Sequence, residues 1–175
     1  LREEFSPRLV SVGIKQVIEL PEQTITDRFN LNANSGVAYS LVGNTYGIQG
    51  GGFLYTNRSS LSLGVVAQID GFINHNIKAY DLIEDYKKHP FVASLIKGGK
   101  PVEYGADIIH EGGASMIPNL YTDNFIVTGT AASLILNTGL TFRGIDFAIA
   151  SGVAAGETVI DAKKKQDFSK ENLSY

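Results

Sequence analysis

The amino-acid sequence predicts an α+β fold: a mostly antiparallel β-sheet with helices on one face, followed by a long C-terminal helix. Three observations support this prediction. A polar loop, Asn57-Arg58-Ser59-Ser60, joins two strand-like segments as in a β-hairpin. Apolar residues at steps of three and four predict a helix over residues 139–161. Segments rich in β-branched and aromatic residues, with turn-forming residues between them, recur near residues 9–20, 36–43, 51–56, 61–69 and 101–109.

The first predicted strand alternates loosely between apolar and polar side chains and stops at Pro21. A short helix is expected to follow over residues 24–29. Thr24 is its predicted N-cap, with Asp27 three positions further on as in a capping box.

Two further helices are predicted after the hairpin, over residues 76–88 and 91–96, because His89-Pro90 interrupts an otherwise helical pattern. Packing on the sheet is the favoured interpretation. The alternative is a shallow membrane contact, in which lysines flank three exposed apolar side chains, Phe91, Leu95 and Ile96.

Three consecutive glycines open the third predicted strand, and two interpretations stay open for them. Gly50-Gly51-Gly52 forms either a bulge or turn that needs glycine, or a stretch of bare backbone that a ligand approaches closely. In the second case backbone N–H groups would donate to a ligand carbonyl beside an apolar wall from Phe53 or Tyr55. The run enters a strand and lacks the Gly-X-Gly-X-X-Gly spacing, which excludes a dinucleotide phosphate loop.

The last part of the chain reads as a strand that leads to a helix N-terminus. Residues 125–127 are predicted to form a short buried strand, and the helix is expected to begin at the turn Asn137-Thr138-Gly139 and to end near Asp161. Unpaired N–H groups at such a helix start suit a phosphate or the electron-rich edge of a cofactor ring. From spacing alone, a plain buried helix is favoured over a cofactor site. For Arg143, pairing with Asp146 one turn on is favoured over pairing with a cofactor anion.

Composition excludes several functions. The 175 residues carry a formal net charge of −3, which gives no electrostatic reason to expect nucleic acid as a partner. With no cysteine, the chain cannot hold an iron–sulfur cluster through thiolates. The three histidines lack metal-ligand spacing, so we predict no metal site.

Motifs in order along residues 9–162 resemble the family of FixC and electron-transfer-flavoprotein:quinone oxidoreductases, which use FAD and are related more distantly to geranylgeranyl reductases. At Gly129-Thr130 many relatives carry Gly-Asp, so the resemblance implies weaker flavin binding here. The motifs are Gly50-Gly51-Gly52-Phe53-Leu54-Tyr55, Lys88-His89-Pro90, Tyr104-Gly105-Ala106, Glu111-Gly112-Gly113, Gly129-Thr130-Ala131-Ala132, Asn137-Thr138-Gly139, Arg143-Gly144 and residues 150–155.

The resemblance implies a division into a substrate or quinone-binding domain at 1–122, a flavin-contacting strand and helix at 123–162, and a polar tail at 163–175. It assigns no catalytic residue. It implies quinone or substrate contacts from Gly51, Gly52, Phe53 and Tyr55, and FAD contacts from Gly129, Thr130, Asn137, Thr138 and Gly139.

The implied function is transfer of electrons from an electron-transfer flavoprotein to a quinone, with a ferredoxin-like protein supplying the iron–sulfur centre. The family's N-terminal Rossmann unit has no counterpart in this sequence. The chain is therefore expected to be a C-terminal part that is inactive alone, with a terminal helix that favours a homodimer. The expected location is the cytoplasm or the cytoplasmic face of a membrane. A prenyl-lipid reductase and a non-catalytic binding module are the alternatives.

Overall fold

The computed structural model describes residues 6–32, 34–43, 45–138 and 141–174, and the chain divides into two compact units. One unit is Ser11–Ile109, which we call the sheet unit. The other combines Leu1–Val10 with His110–Tyr175, and we call it the helix unit. Each has its own internal packing.

Five strands build the sheet unit, in the order β2-β3-β4-β1-β5. The β1–β4, β2–β3 and β3–β4 pairs are antiparallel. This sheet confirms the strands and the α+β fold class that the sequence predicts. The prediction succeeds here because alternating apolar residues along a strand need one covered face. The strands are β1 (Val10–Glu19), β2 (Ala38–Val42), β3 (Gly50–Thr56), β4 (Ser60–Gln68) and β5 (Lys100–His110).

Helices cover one face of this sheet and complete a single hydrophobic core. Helix α1 (Glu22–Phe29) starts directly after Pro21, and no side chain caps its N-terminus. The prediction of Thr24 as the N-cap is wrong, because Thr24 lies inside the helix. The next three helices are α2 (Ile69–His75), α3 (Ala79–Lys88) and α4 (Pro90–Ile96). The core contains Ile14, Ile18, Ile25, Leu54, Leu61, Leu63, Leu82, Ile83 and Val92, each at most 2% exposed.

The fourth strand stops at Gln68, one residue earlier than predicted, and the chain turns at once into α2, a helix that the sequence pattern did not indicate. Val92 and Leu95 lie three positions apart on the buried face of α4 and belong to the hydrophobic core, in line with the favoured interpretation of packing on the sheet. The membrane-contact alternative needs Leu95 to be exposed, and it is buried. Phe91 remains partly exposed and places its ring edge-on against Tyr39 at 5.2 Å.

The helix unit contains two small hairpins before its long helix. Strands β6 (Tyr121–Thr122) and β7 (Phe125–Ile126) form the first, and β8 (Leu136–Asn137) and β9 (Phe142–Arg143) the second. Between them lies a 3₁₀ turn at Gly129–Ala132. The prediction of a buried strand at 125–127 is wrong at Phe125. This residue is exposed, because a two-stranded hairpin has no second layer to cover it.

The terminal helix α5 spans Ile145–Lys165, which corrects both predicted ends. It starts six residues after position 139, because Asn137 and Thr138 belong to the β8–β9 hairpin and Gly144 is the N-cap. It also continues into the region predicted to be a polar tail. Residues after it pack back on the unit: the Asn124 N–H donates to the Phe168 carbonyl at 2.9 Å, and Leu173 is buried.

Helix α5 leaves most of its apolar side chains exposed, contrary to the buried helix that the spacing favours. Ile145 is 80% exposed and Ile149 64%, and only Thr158 and Ala162 are buried along the helix. Within the described parts of the chain, no helix is both long enough and apolar enough to cross a membrane.

Candidate functional site

The glycine run at the start of β3 is required by close strand approach. A Cβ atom on Gly50 would lie 2.2 Å from the Val66 carbonyl oxygen, and one on Gly51 would lie 2.3 Å from the Leu41 carbonyl oxygen. Real Cβ atoms do not approach backbone oxygen so closely, so both positions need glycine for the sheet itself. Because β3 lies between β2 and β4, the N–H groups of Gly51 and Gly52 lie in the plane of a sheet with a neighbour on each side.

Alternation along β3 places the predicted quinone residues on two different faces. Gly52 shares the helix-covered face with Leu54, and the ring of Tyr86 fills the space beside it: a Cβ on Gly52 would lie 2.6 Å from the Tyr86 Cζ. Tyr86 is almost fully buried, and its hydroxyl has no hydrogen-bond partner among the described residues. Burial raises the pKa of Tyr86 to about 12.

Gly51, Phe53 and Tyr55 lie together on the opposite face, which we call the aromatic face. The rings of Phe53 and Tyr55 stack with centroids 5.8 Å apart and planes 17° apart. Phe53 also covers Gly64 on β4, where a Cβ would lie 2.4 Å from the Phe53 Cζ. Tyr55 is 36% exposed. The aromatic face therefore offers a flat, partly exposed apolar surface, which can contact a planar ring.

In the helix unit, Gly129 packs against α5. Its φ of 60° lies in the left-handed region that favours glycine, and its N–H donates to Ser151 Oγ at 3.1 Å. A Cβ on Gly129 would lie 3.3 Å from the Ala148 Cβ. Thr130 follows in the same 3₁₀ turn with an exposed side chain. Gly129 thus has a structural role, while Thr130 is available to a ligand.

The hairpin before α5 uses the polar groups of Asn137 and Thr138. Asn137 Nδ2 donates to Glu111 Oε2 at 2.7 Å. The Thr138 hydroxyl donates to the Thr141 carbonyl at 3.0 Å and accepts from the Thr141 N–H at 3.2 Å. Gly139 lies outside the described residues. These groups therefore stand in a hairpin turn and not, as predicted, at the first turn of a helix.

Arg143 pairs with Asp146, as the sequence predicts. The hydrogen bond from the Arg143 side chain holds the pKa of the Asp146 carboxyl below its ordinary value. Because both side chains are about half exposed, water screens this attraction. The pair lies at the start of α5, and neither of its charges is buried in a position to bind a ligand.

Sequence reasoning did not assign Glu111 to Asn137 or Ser151 to Gly129. The sequence pattern places Glu111 in the motif Glu111-Gly112-Gly113 and Ser151 within residues 150–155, and it indicates a partner for neither. The separations of 26 and 22 residues leave no local signal for either pair. Among the residues that the structure describes, no group of three His, Cys, Asp or Glu side chains could hold a metal ion.

Comparison with known proteins adds to this geometry. The family described as "ETF-QO, ubiquinone-binding" matches residues 10–109, nearly the same range as the sheet unit. Protein FixC of Escherichia coli O157:H7 is 45% identical over 175 residues, which are 99% of this chain and 41% of that protein. A probable electron transfer flavoprotein-quinone oxidoreductase of Escherichia coli K12, YdiS, is 43% identical over 96% of this chain and 39% of its own length.

Solved structures show the same fold at low identity. A geranylgeranyl bacteriochlorophyll reductase-like protein from Thermoplasma acidophilum aligns with a TM-score of 0.67 at 16% identity, over 97% of this chain and 38% of that one. The flavin-dependent brominase Bmp2 aligns with a TM-score of 0.60 at 17% identity, over 93% of this chain and 38% of its own. The chain spans about two fifths of the length of the curated relatives it matches.

Proposed function

Since this chain belongs to the ETF-QO ubiquinone-binding family, we propose that it forms the quinone-binding and flavin-contacting part of an FAD-dependent electron-transfer oxidoreductase. The observation that carries the proposal is the family match over residues 10–109, which covers the compact sheet unit and its aromatic face. In the proposed division, residues 1–122 serve the quinone and residues 123–162 contact the flavin.

In the quinone site, the stacked rings of Phe53 and Tyr55 provide the apolar wall for a planar head group. Gly51 keeps the strand close to its neighbour so that no side chain interrupts this surface. Gly52 acts from the other face, by admitting the Tyr86 ring beneath the strand. The neighbouring strands occupy the backbone donors of β3, so the proposed contact is ring against ring.

For the flavin, the proposed contacts are Gly129, Thr130, Asn137, Thr138 and Gly139. Three of them fit a polar cofactor edge: Thr130 is exposed, and the amide of Asn137 and the hydroxyl of Thr138 are held in fixed orientations. Gly129 is buried and would act by setting the backbone of the turn that carries Thr130. Bound FAD would supply the chemistry of accepting electrons and passing them on. The side chains of this chain would orient it through neutral hydrogen bonds.

The proposed electron donor is an electron-transfer flavoprotein and the proposed acceptor is a quinone. A ferredoxin-like partner would supply an iron–sulfur centre, because this sequence has no cysteine to bind one. We place the protein in the cytoplasm or at the cytoplasmic face of a membrane. The quinone would be dissolved in that membrane. The exposed apolar side chains of α5 are the proposed surface for a homodimer of this chain.

Titration with a short-chain ubiquinone tests the quinone site. The chain contains eight tyrosines and no tryptophan, so tyrosine fluorescence reports binding. We expect Phe53→Ala and Tyr55→Ala to weaken binding by about twofold to tenfold, in line with the roughly 0.5–1.5 kcal/mol that an aromatic contact contributes. Phe125→Ala, a comparably exposed aromatic residue in the helix unit, is the matched control. Equal affinity of all four proteins would contradict the proposed site.

Flavin binding is tested separately, by quenching of FAD fluorescence as the chain is added. Binding that Thr130→Ala and Thr138→Ala weaken would support the flavin contacts. Absence of any quenching by a chain that still melts cooperatively would show that residues 123–162 alone do not hold FAD.

A further inference from the structure

We infer that Glu111 is a positioning residue of the proposed flavin site, which holds Asn137 in place and brings a negative charge beside the flavin-contacting segment. The inference rests on the proposed function. It concerns a residue that lies at the end of β5, outside the segment 123–162.

The geometry joins two distant parts of the helix unit. Glu111 Oε2 accepts a hydrogen bond from Asn137 Nδ2 at 2.7 Å, and 26 residues separate the pair. Since an ionised carboxylate can only accept, the amide must turn its nitrogen toward Glu111, which fixes the orientation of the Asn137 side chain.

Glu111 is itself anchored through its backbone. Its N–H donates to the Leu9 carbonyl oxygen at 2.9 Å, so the position of its Cα does not depend on the carboxylate. Both Glu111 and Asn137 are half-buried, and a hydrogen bond to a charged group in such surroundings is stronger than one between neutral groups. A substitution of the side chain therefore removes the carboxylate that Asn137 contacts and leaves the backbone anchor in place.

Charge gives Glu111 an effect that a purely structural residue would not have. A fixed carboxylate disfavours added negative charge nearby, and reduction adds electrons to a flavin. Glu111 is thus expected to make the bound flavin harder to reduce, while its hydrogen bond to Asn137 shapes the site. Removing the charge and removing the hydrogen bond should have separable consequences.

The first experiment tests the hydrogen bond without flavin. Asn137→Asp places two carboxylates against each other and should lower the thermal midpoint. Adding Glu111→Gln reverses donor and acceptor, since the glutamine amide can donate to the new aspartate. We expect the double variant to melt above Asn137→Asp alone. A double variant at or below the midpoint of Asn137→Asp would overturn the inference.

The second experiment uses the FAD-loaded protein. Glu111→Gln should retain flavin within about threefold and shift its midpoint potential upward, whereas Glu111→Ala should lose about tenfold in affinity, equivalent to one interaction of moderate strength. The control is Glu157→Gln on α5, which removes the same charge from an exposed position. Unchanged affinity and potential in both Glu111 variants would overturn the inference while the proposed function stands. Failure of the unsubstituted protein to bind FAD would instead defeat the proposed function and the inference together.

Discussion

The sheet unit and the helix unit differ in how their helices place apolar side chains. In the sheet unit, α1, α3 and α4 direct Ile25, Ile83 and Val92 onto one face of a five-stranded sheet, where they are fully buried. In the helix unit, α5 runs for 21 residues beside two-stranded hairpins and leaves Ile145 and Ile149 exposed.

An apolar helical pattern therefore specifies a helix but does not specify what covers it. A sheet of five strands is wide enough to cover several helices. A hairpin of two-residue strands is too small to cover the apolar face of a long helix. Exposed apolar patches of this kind mark contact surfaces, and the α5 face is the one to which we assign a partner.

The largest expected effect contrasts one core residue with one α5 residue. Leu63→Ala should lower the free energy of unfolding by about 2–5 kcal/mol, because it removes a fully buried side chain and leaves a cavity. Ile149→Ala should change it by at most about 0.5 kcal/mol, because Ile149 is mostly exposed. Urea denaturation measures both. Similar losses would show that α5 has a partner surface in the free chain.

A glycine substitution tests how tightly the covered face of the sheet unit is packed. Gly52→Ala should cost about 1–3 kcal/mol, because the new methyl group meets the buried Tyr86 ring. The matched control is Gly105→Ala on β5, where a Cβ meets no atom within 4 Å. Equal stability of the two variants, measured in the same denaturation assay, would mean that the Tyr86 ring moves aside without strain.

The pH dependence at Tyr86 appears only at alkaline pH and has a definite sign. Because burial raises its folded pKa to about 12, above the ordinary 10.0, the folded state keeps the proton more tightly. Stability from this group is complete below pH 10 and should fall as the pH rises toward 12. Tyr86→Phe should lack that fall, and should not lose stability at pH 7, because the buried hydroxyl has no hydrogen-bond partner among the residues that the structure describes. Parallel pH profiles for both proteins would refute the assignment.

The smallest effect belongs to the ion pair at the start of α5. Asp146→Asn should shift the unfolding midpoint less than Leu63→Ala or Gly52→Ala. The reason is that Arg143 and Asp146 are both about half exposed, so water screens their attraction. The pKa of Asp146 is lowered, so the contribution is present above its unfolded pKa and disappears on acidification. High salt should remove it as well. A shift that persists in about 1 M salt would point to a packing role for Asp146.

Much of the fold follows from local pattern. The five strands and the break at His89-Pro90 were predictable, because alternation and helix-breaking residues act over a few positions. The sharing of one face by Phe53 and Tyr55 also follows from the period of two along a strand. The N-terminus of α5 was not predictable, because pairing of Leu136 with Arg143 competes with helix formation and depends on hairpin closure.

By itself, the sequence determined the strands of the sheet and the aromatic pair on one side of β3, since both depend on neighbours two to four positions apart. Only the tertiary structure decided that Tyr86 fills the space beside Gly52, that Asn137 turns toward Glu111, and that α5 stays uncovered. Each of these depends on which residues are brought together from far along the chain, and local pattern carries no information about that.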